Sequence, residues 1–101
     1  YNRYSHCNLS LVCFFKACFK GHAGVAALLL DRNADVDLAS KDGDTPLVMA
    51  SYNGHADVVK ALIGAKADLN KEDGGGKTPL HWATRRGHGE VAALLRAAGA
   101  K

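Results

Sequence analysis

Gly76-Lys77-Thr78-Pro79-Leu80-His81-Trp82-Ala83 decides the reading of this chain, because its residues describe the start of a helix one atom group at a time. Thr78 is placed to cap the helix, its hydroxyl accepting a hydrogen bond from a backbone N–H that the first turn leaves free. Pro79 follows at the first helical position, where no N–H is needed and φ is already suitable. Gly87 then ends a short helix that runs to Arg86, since glycine takes the left-handed backbone of a helix end at no steric cost. The same arrangement stands 33 residues earlier as Gly43-Asp44-Thr45-Pro46-Leu47-Val48-Met49-Ala50, with its helix running to Asn53 and stopping at Gly54.

Working outward, the 33-residue step holds along most of the chain. Gly21-His22, Gly54-His55 and Gly87-His88 obey it. So do Ala17, Ala50 and Ala83; Val25, Val58 and Val91; and Leu29, Leu62 and Leu95. Asp35-Val36-Asp37 answers Asp68-Leu69-Asn70. After each Gly-His pair a second helix is expected, over about Asp57 to Ala65 and about Glu90 to Ala98. Val58, Val59, Leu62 and Ile63 recur there at helical spacing on one face. A single helix pair cannot bury its own apolar face, but stacked pairs can, which predicts an all-α repeat solenoid of paired antiparallel helices.

Gly76 to Ala83, followed by Gly87-His88 and Leu94-Leu95, resembles the ankyrin-repeat signature, and 33 residues is the ankyrin period. The resemblance implies short β-hairpin or turn fingers between units, near residues 33–43 and 66–76. It divides the chain into an N-terminal tail (1–6) and a repeat domain (7–101). Within the domain the repeats are a divergent N-capping repeat 1 (7–39), repeat 2 (40–72) and a C-capping repeat 3 (73–101). It further implies that the histidine of Thr-Pro-Leu-His, His81, bonds neighbouring backbone. The second unit carries Val48 there, and the first has Val12-Cys13-Phe14-Phe15, so this lateral network should weaken toward the N-terminus.

Composition agrees with a small helical domain. Of the 101 residues 48% are hydrophobic and only 7% aromatic, which suits a core of Leu, Val and Ala. The net charge of +3 is mild. Bases outnumber acids clearly only in the last third, five to two over residues 73–101, which is no nucleic-acid-binding stripe. No apolar run reaches the roughly 18 residues of a membrane span, and Leu9 to Phe15 is too short for the apolar core of a signal peptide. Cys7, Cys13 and Cys18 are odd in number and crowded into the first fifth. That reads as reduced thiols and an intracellular (cytoplasmic or nuclear) protein rather than a disulfide framework.

Two breaks in the pattern read as end caps. Lys16 stands where Met49 and Trp82 pack on a preceding unit, and Arg96 stands where Leu30 and Ile63 are apolar. A complete three-unit domain is expected, with polar outer faces at both ends. Leu9, Leu11 and Val12 argue the other way, for a contact with a second copy or another segment. Gly74, Gly75 and Gly76 predict a floppy third fingertip.

The residues that invite catalysis have plainer explanations. His22, His55 and His88 share one repeat position and read as structural helix-start residues. His6 lies in the tail. Cys13, Cys18 and His22, with or without Cys7, lack the close Cys pairing of structural zinc sites, and Cys18 matches Ser51 and Thr84 as a small packing residue. Gly74 to Thr78 looks superficially like a phosphate loop, but Lys71 stands where that pattern needs its first Gly. No metal, cofactor, small-molecule substrate or catalytic residue is expected.

The ankyrin resemblance implies docking on the concave side, on fingertips and the flank of each first helix. By register the candidates are Phe19 and Lys20; Lys41, Asp42, Asp44, Tyr52 and Asn53; and Gly75, Lys77, Trp82, Arg85 and Arg86. Core positions repeat in type and these do not, so packing does not dictate them. Trp82 is read as core between units two and three, with the option of an edge in the groove for a methylated lysine or an aromatic anchor. Phe19 and Tyr52 form an aromatic centre between an acidic patch (Asp42, Asp44) and a basic one (Lys77, Arg85, Arg86), which suits a protein or peptide partner of mixed charge. The expected function is a non-catalytic, monomeric protein-interaction module. The alternatives are a structural or oligomerisation element using the apolar N-terminal segment, and nucleic-acid contact through the basic third repeat.

Overall fold

The structure, a computed structural model, describes residues 14–32, 36–37 and 43–100. Expectations placed on His6, Cys7, Leu9, Leu11, Val12 and Cys13, on Lys41 and Asp42, and on most of the first finger lie outside the described residues. Six helices stand within them: α1 (14–20), α2 (Ala23–Asp31), α3 (Pro46–Asn53), α4 (Ala56–Gly64), α5 (Pro79–Arg85) and α6 (Gly89–Ala97). The fold is an all-helical repeat stack. In one row α3 packs on α5; in the other α4 lies between α2 and α6; each unit is closed by its own pair, α3 with α4 and α5 with α6.

The caps act as their chemistry requires. Thr45 and Thr78 each accept, through Oγ1, the N–H of the residue three positions on, at 3.2 Å. Pro46 and Pro79 occupy the first turn. Gly54 closes α3 in the left-handed region (φ 75°), and the His55 N–H then bonds the Ala50 carbonyl at 2.9 Å. His22 and His88 make the same bond to Ala17 and Ala83. Helices α4 and α6 begin at Ala56 and Gly89, one residue earlier than the sequence suggests, because the His55 and His88 carbonyls already accept the N–H of Val59 and Ala92. Helix α5 stops at Arg85, one residue short of the expected Arg86.

Val58, Val59 and Leu62 of α4 and Val91 and Leu95 of α6 are buried, together with Phe14, Ala17 and Cys18 of α1 and the small residues Ala50 and Ala83. The outer face of the first unit differs. Lys16 is exposed, and Val25 is 48% and Leu28 53% exposed, although Val58 and Val91 in the same register as Val25 are fully buried. Val58 is shielded because α2 lies on α4, and Val91 because α4 lies on α6; among the described residues no helix covers α2 in that way.

Two expectations need correction. The lateral histidine bonds are not those of His81. His55 Nε2 donates to the Phe19 carbonyl (2.8 Å) and His88 Nε2 to the Tyr52 carbonyl (3.0 Å). Each of these histidines starts the second helix of its unit and reaches the end of the first helix of the unit before. The His81 ring instead meets Trp82 edge to face, 5.5 Å between centroids. Nor is the third fingertip loose. Asp73 Oδ1 accepts the N–H groups of Gly75 (2.8 Å) and Lys77 (2.9 Å), and the Asp73 N–H bonds the Lys77 carbonyl at 2.8 Å. An aspartate two residues before a glycine offers that turn a side-chain acceptor. The described finger residues form turns and no strand.

Cys18 is a buried free thiol whose pKa burial pushes up from 9.0 to about 12, because the thiolate would lose its hydration. Since the thiolate is the nucleophile, a chain carrying Cys7→Ser and Cys13→Ser is expected to react with a thiol dye at pH 8 about 1000-fold more slowly than an unhindered cysteine. Labelling at the rate of a free thiol would mean that α1 opens readily. The raised value also sets a sign: the contribution of the neutral thiol to stability is complete below about 9 and is lost as pH climbs toward 12.

Candidate functional site

The first-row helices and the third finger line one half-open pocket, of about 230 Å³. Its aromatic walls are Phe19 from α1, Tyr52 from α3 and Trp82 from α5; Val48 and Met49 supply apolar surface, and Asn53, Asp44 and Asp73 the polar edge. Local chemistry places each wall. Tyr52 lies in the last turn of α3, two residues before the left-handed end at Gly54. The His55 bond to the Phe19 carbonyl and the His88 bond to the Tyr52 carbonyl set the spacing of the two ring-bearing helix ends.

Within the site the rings are held by their polar handles. Tyr52 and Trp82 meet edge to face with centroids 5.1 Å apart, the arrangement that opposes a ring edge to a π-face. The Trp82 indole N–H donates to Asp73 Oδ2 at 2.8 Å. Partial burial of Asp73 works to raise its pKa, but the N–H bonds from Lys77, Trp82 and Gly75 and the Lys77 charge outweigh it and hold the carboxyl below its ordinary value. Asp73 therefore brings a negative charge to the pocket at neutral pH. The Arg86 guanidinium lies over the Tyr52 ring, 4.2 Å from its centroid, and donates to the Tyr52 hydroxyl at 3.2 Å; it is not part of the pocket wall.

Of the residues singled out from sequence, Phe19, Asp44, Tyr52, Asn53 and Trp82 come together around this pocket, with Arg86 beside it. Trp82 is half-buried, so part of it faces the groove. Lys20 and Lys77 are exposed. Arg85 goes elsewhere, into a separate depression with His81, Thr84 and Arg96. Sequence reasoning missed Asp73, which sits in the glycine-rich tip; its side-chain acceptor two residues before Gly75 was the available signal. Met49 was read only as packing, and it lines the pocket as well.

The described residues hold no group of three or more His, Cys, Asp or Glu able to bind a metal ion, and none of their helices is long and apolar enough to cross a membrane. No curated protein matches the chain. A family model described as ankyrin repeats, in three copies, matches residues 14–101.

Proposed function

Because this chain belongs to the ankyrin-repeat family, whose members are generally non-catalytic protein–protein interaction modules, we propose that it holds a protein or peptide partner of mixed charge in the groove lined by Phe19, Tyr52 and Trp82. The observation that carries this reading is a contrast within the repeat. Framework positions keep their type from unit to unit, whereas the same register holds Phe19, Tyr52 and Arg85, or Lys20, Asn53 and Arg86. Packing leaves these positions free to vary, and two aromatic members, with Trp82, make a pocket rather than scatter. Tyr, Trp and Arg are the residue types that dominate binding hot spots. The same reading puts the protein inside the cell, supported by its odd, clustered cysteines.

Affinity capture with mass spectrometry tests it. The wild-type chain is expected to retain a partner that the variant with Ala at Phe19, Tyr52 and Arg86 loses by roughly tenfold or more, since hot-spot truncations cost about 2 kcal/mol or more. Both baits are first checked for folding by circular dichroism. Equal capture by both would remove the groove as the docking face.

Half-exposed Val25 and Leu28 favour a second reading, an oligomerisation element in which a second copy covers α2. Light scattering over a concentration series separates the two, because a monomer at high concentration removes it.

A further inference from the structure

The outer flank of the third unit carries a depression of its own, lined by Thr78, Leu80, His81, Thr84 and Arg85 of the α5 segment and by Arg96 of α6. We propose that it receives the phosphate group of a phosphorylated side chain on a protein partner, with the Arg85 and Arg96 guanidiniums forked onto its oxygens. The site is separate from the aromatic groove and does not depend on it.

The repeat shows how this flank differs from its counterpart. In the second unit Val48 and Ser51 are buried, where α5 packs on α3 and α6 on α4. The third unit carries His81 and Thr84 at those positions, and Arg96 where Ile63 stands; among the described residues no helix covers them. A base near a helix C-terminus suits the partial negative charge there, but the framework does not ask for one. Arg85 answers Tyr52 and Phe19, and Arg96 answers Ile63 and Leu30.

Neither guanidinium is spent on the fold. Among the described residues the Arg85 and Arg96 side chains make no hydrogen bond, ion pair or ring contact, whereas Arg86 is engaged over Tyr52. The depression holds no carboxylate. Glu90 is the only acid among residues 74–101, and it lies in the first turn of α6, about 9 Å along the helix from Arg96. Thr78 Oγ1 accepts the His81 N–H and keeps its own O–H to donate; the Thr84 hydroxyl and the His81 ring add further donors. A cation would meet two like charges here, and an apolar anchor would find only Leu80. A carboxylate is satisfied by one arginine fork, whereas a phosphomonoester presents three oxygens and close to two charges, enough for both. Two guanidiniums at one point suit a single phosphate rather than the run of phosphates that a basic stripe would follow.

Blocked Gly-Ala-Xaa-Ala-Gly pentapeptides, with phosphoserine, glutamate or serine at the centre, are titrated into the isotope-labelled full chain at low ionic strength. The Thr84 and Arg85 amide resonances are followed by NMR. The phosphoserine peptide is expected to shift them saturably, the glutamate peptide to bind about tenfold more weakly, and the serine peptide to leave them unmoved. Arg85→Gln and Arg96→Gln, both at exposed positions, should each weaken the phosphoserine peptide about tenfold while the chain stays folded by circular dichroism. Lys16→Gln removes the same charge from exposed α1 and should change the affinity by less than about twofold, because a distant charge is screened. Unmoved resonances at millimolar phosphoserine peptide in a folded chain would overturn the proposal. So would equal binding of the glutamate peptide, or equal losses from Lys16→Gln and the two arginine variants. A single-stranded hexanucleotide that binds more tightly than the phosphoserine peptide and is weakened by Arg96→Gln would assign the site to nucleic acid and overturn it as well. The groove reading fails separately, through equal capture of a protein by the wild-type and triple-alanine baits.

Discussion

Gly54→Ala is expected to destabilise the fold by about 3 kcal/mol, and Gly87→Ala, the same change 33 residues on, by only about 1 kcal/mol. Both glycines sit in the left-handed region, φ 75° and 78°, and each substitution carries the cost of placing a Cβ there, roughly 1–2 kcal/mol. What separates them is the next unit. A Cβ at Gly54 would lie 2.5 Å from Nδ1 of His88, 2.7 Å from Cε1 and 2.9 Å from Cγ, whereas one at Gly87 would meet nothing within 4 Å. The His88 ring has no free direction of escape, because its Nε2 donates to the Tyr52 carbonyl. Moving it gives up that bond, worth about 1 kcal/mol net and more if the carbonyl is left unpaired. Urea denaturation followed by circular dichroism measures both variants on one scale. Equal losses would mean that the His88 ring yields without cost and that the lateral bond does not hold the units in register.

That pair also marks how far the sequence could be read. Thr45, Pro46, Thr78, Pro79 and Gly54 were legible because capping and left-handed ends are local: each is satisfied by backbone within four residues, so residue type and spacing suffice. The bonds between units were not. His55 and His88 reach carbonyls 36 residues away, and a repeated Gly-His pair reads equally well as a mere helix start. The groove was legible in part for the same reason. Register identified the positions that packing leaves free, but not their directions. Tyr52 and Arg85 hold the same repeat position, yet Tyr52 turns to Trp82 while Arg85 lies in a separate depression with Arg96. Asp73 escaped because its three acceptor bonds depend on a turn that a glycine run alone leaves undetermined.

Leu62→Ala is expected to cost about 3–4 kcal/mol, the lost transfer energy of the side chain plus the cavity it leaves. Leu62 is fully buried in α4, the helix that touches both α2 and α6. Its position multiplies the consequence. In a repeat stack each unit contacts only its neighbours, so a weakened middle unit loosens two interfaces at once. A domain of this size has a total stability of about 5–15 kcal/mol, and the expected loss lowers Tm by roughly 15–25 °C. Leu28→Ala removes the same side chain from α2, where it is 53% exposed, and should stay within about 0.5 kcal/mol of the parent. Thermal melts of the two variants therefore test the stack itself. If Leu62→Ala melted within a few degrees of the parent, α4 would not be the shared core of three units. If Leu28→Ala fell as far as Leu62→Ala, the outer face of α2 would be covered in solution, as the oligomerisation reading requires.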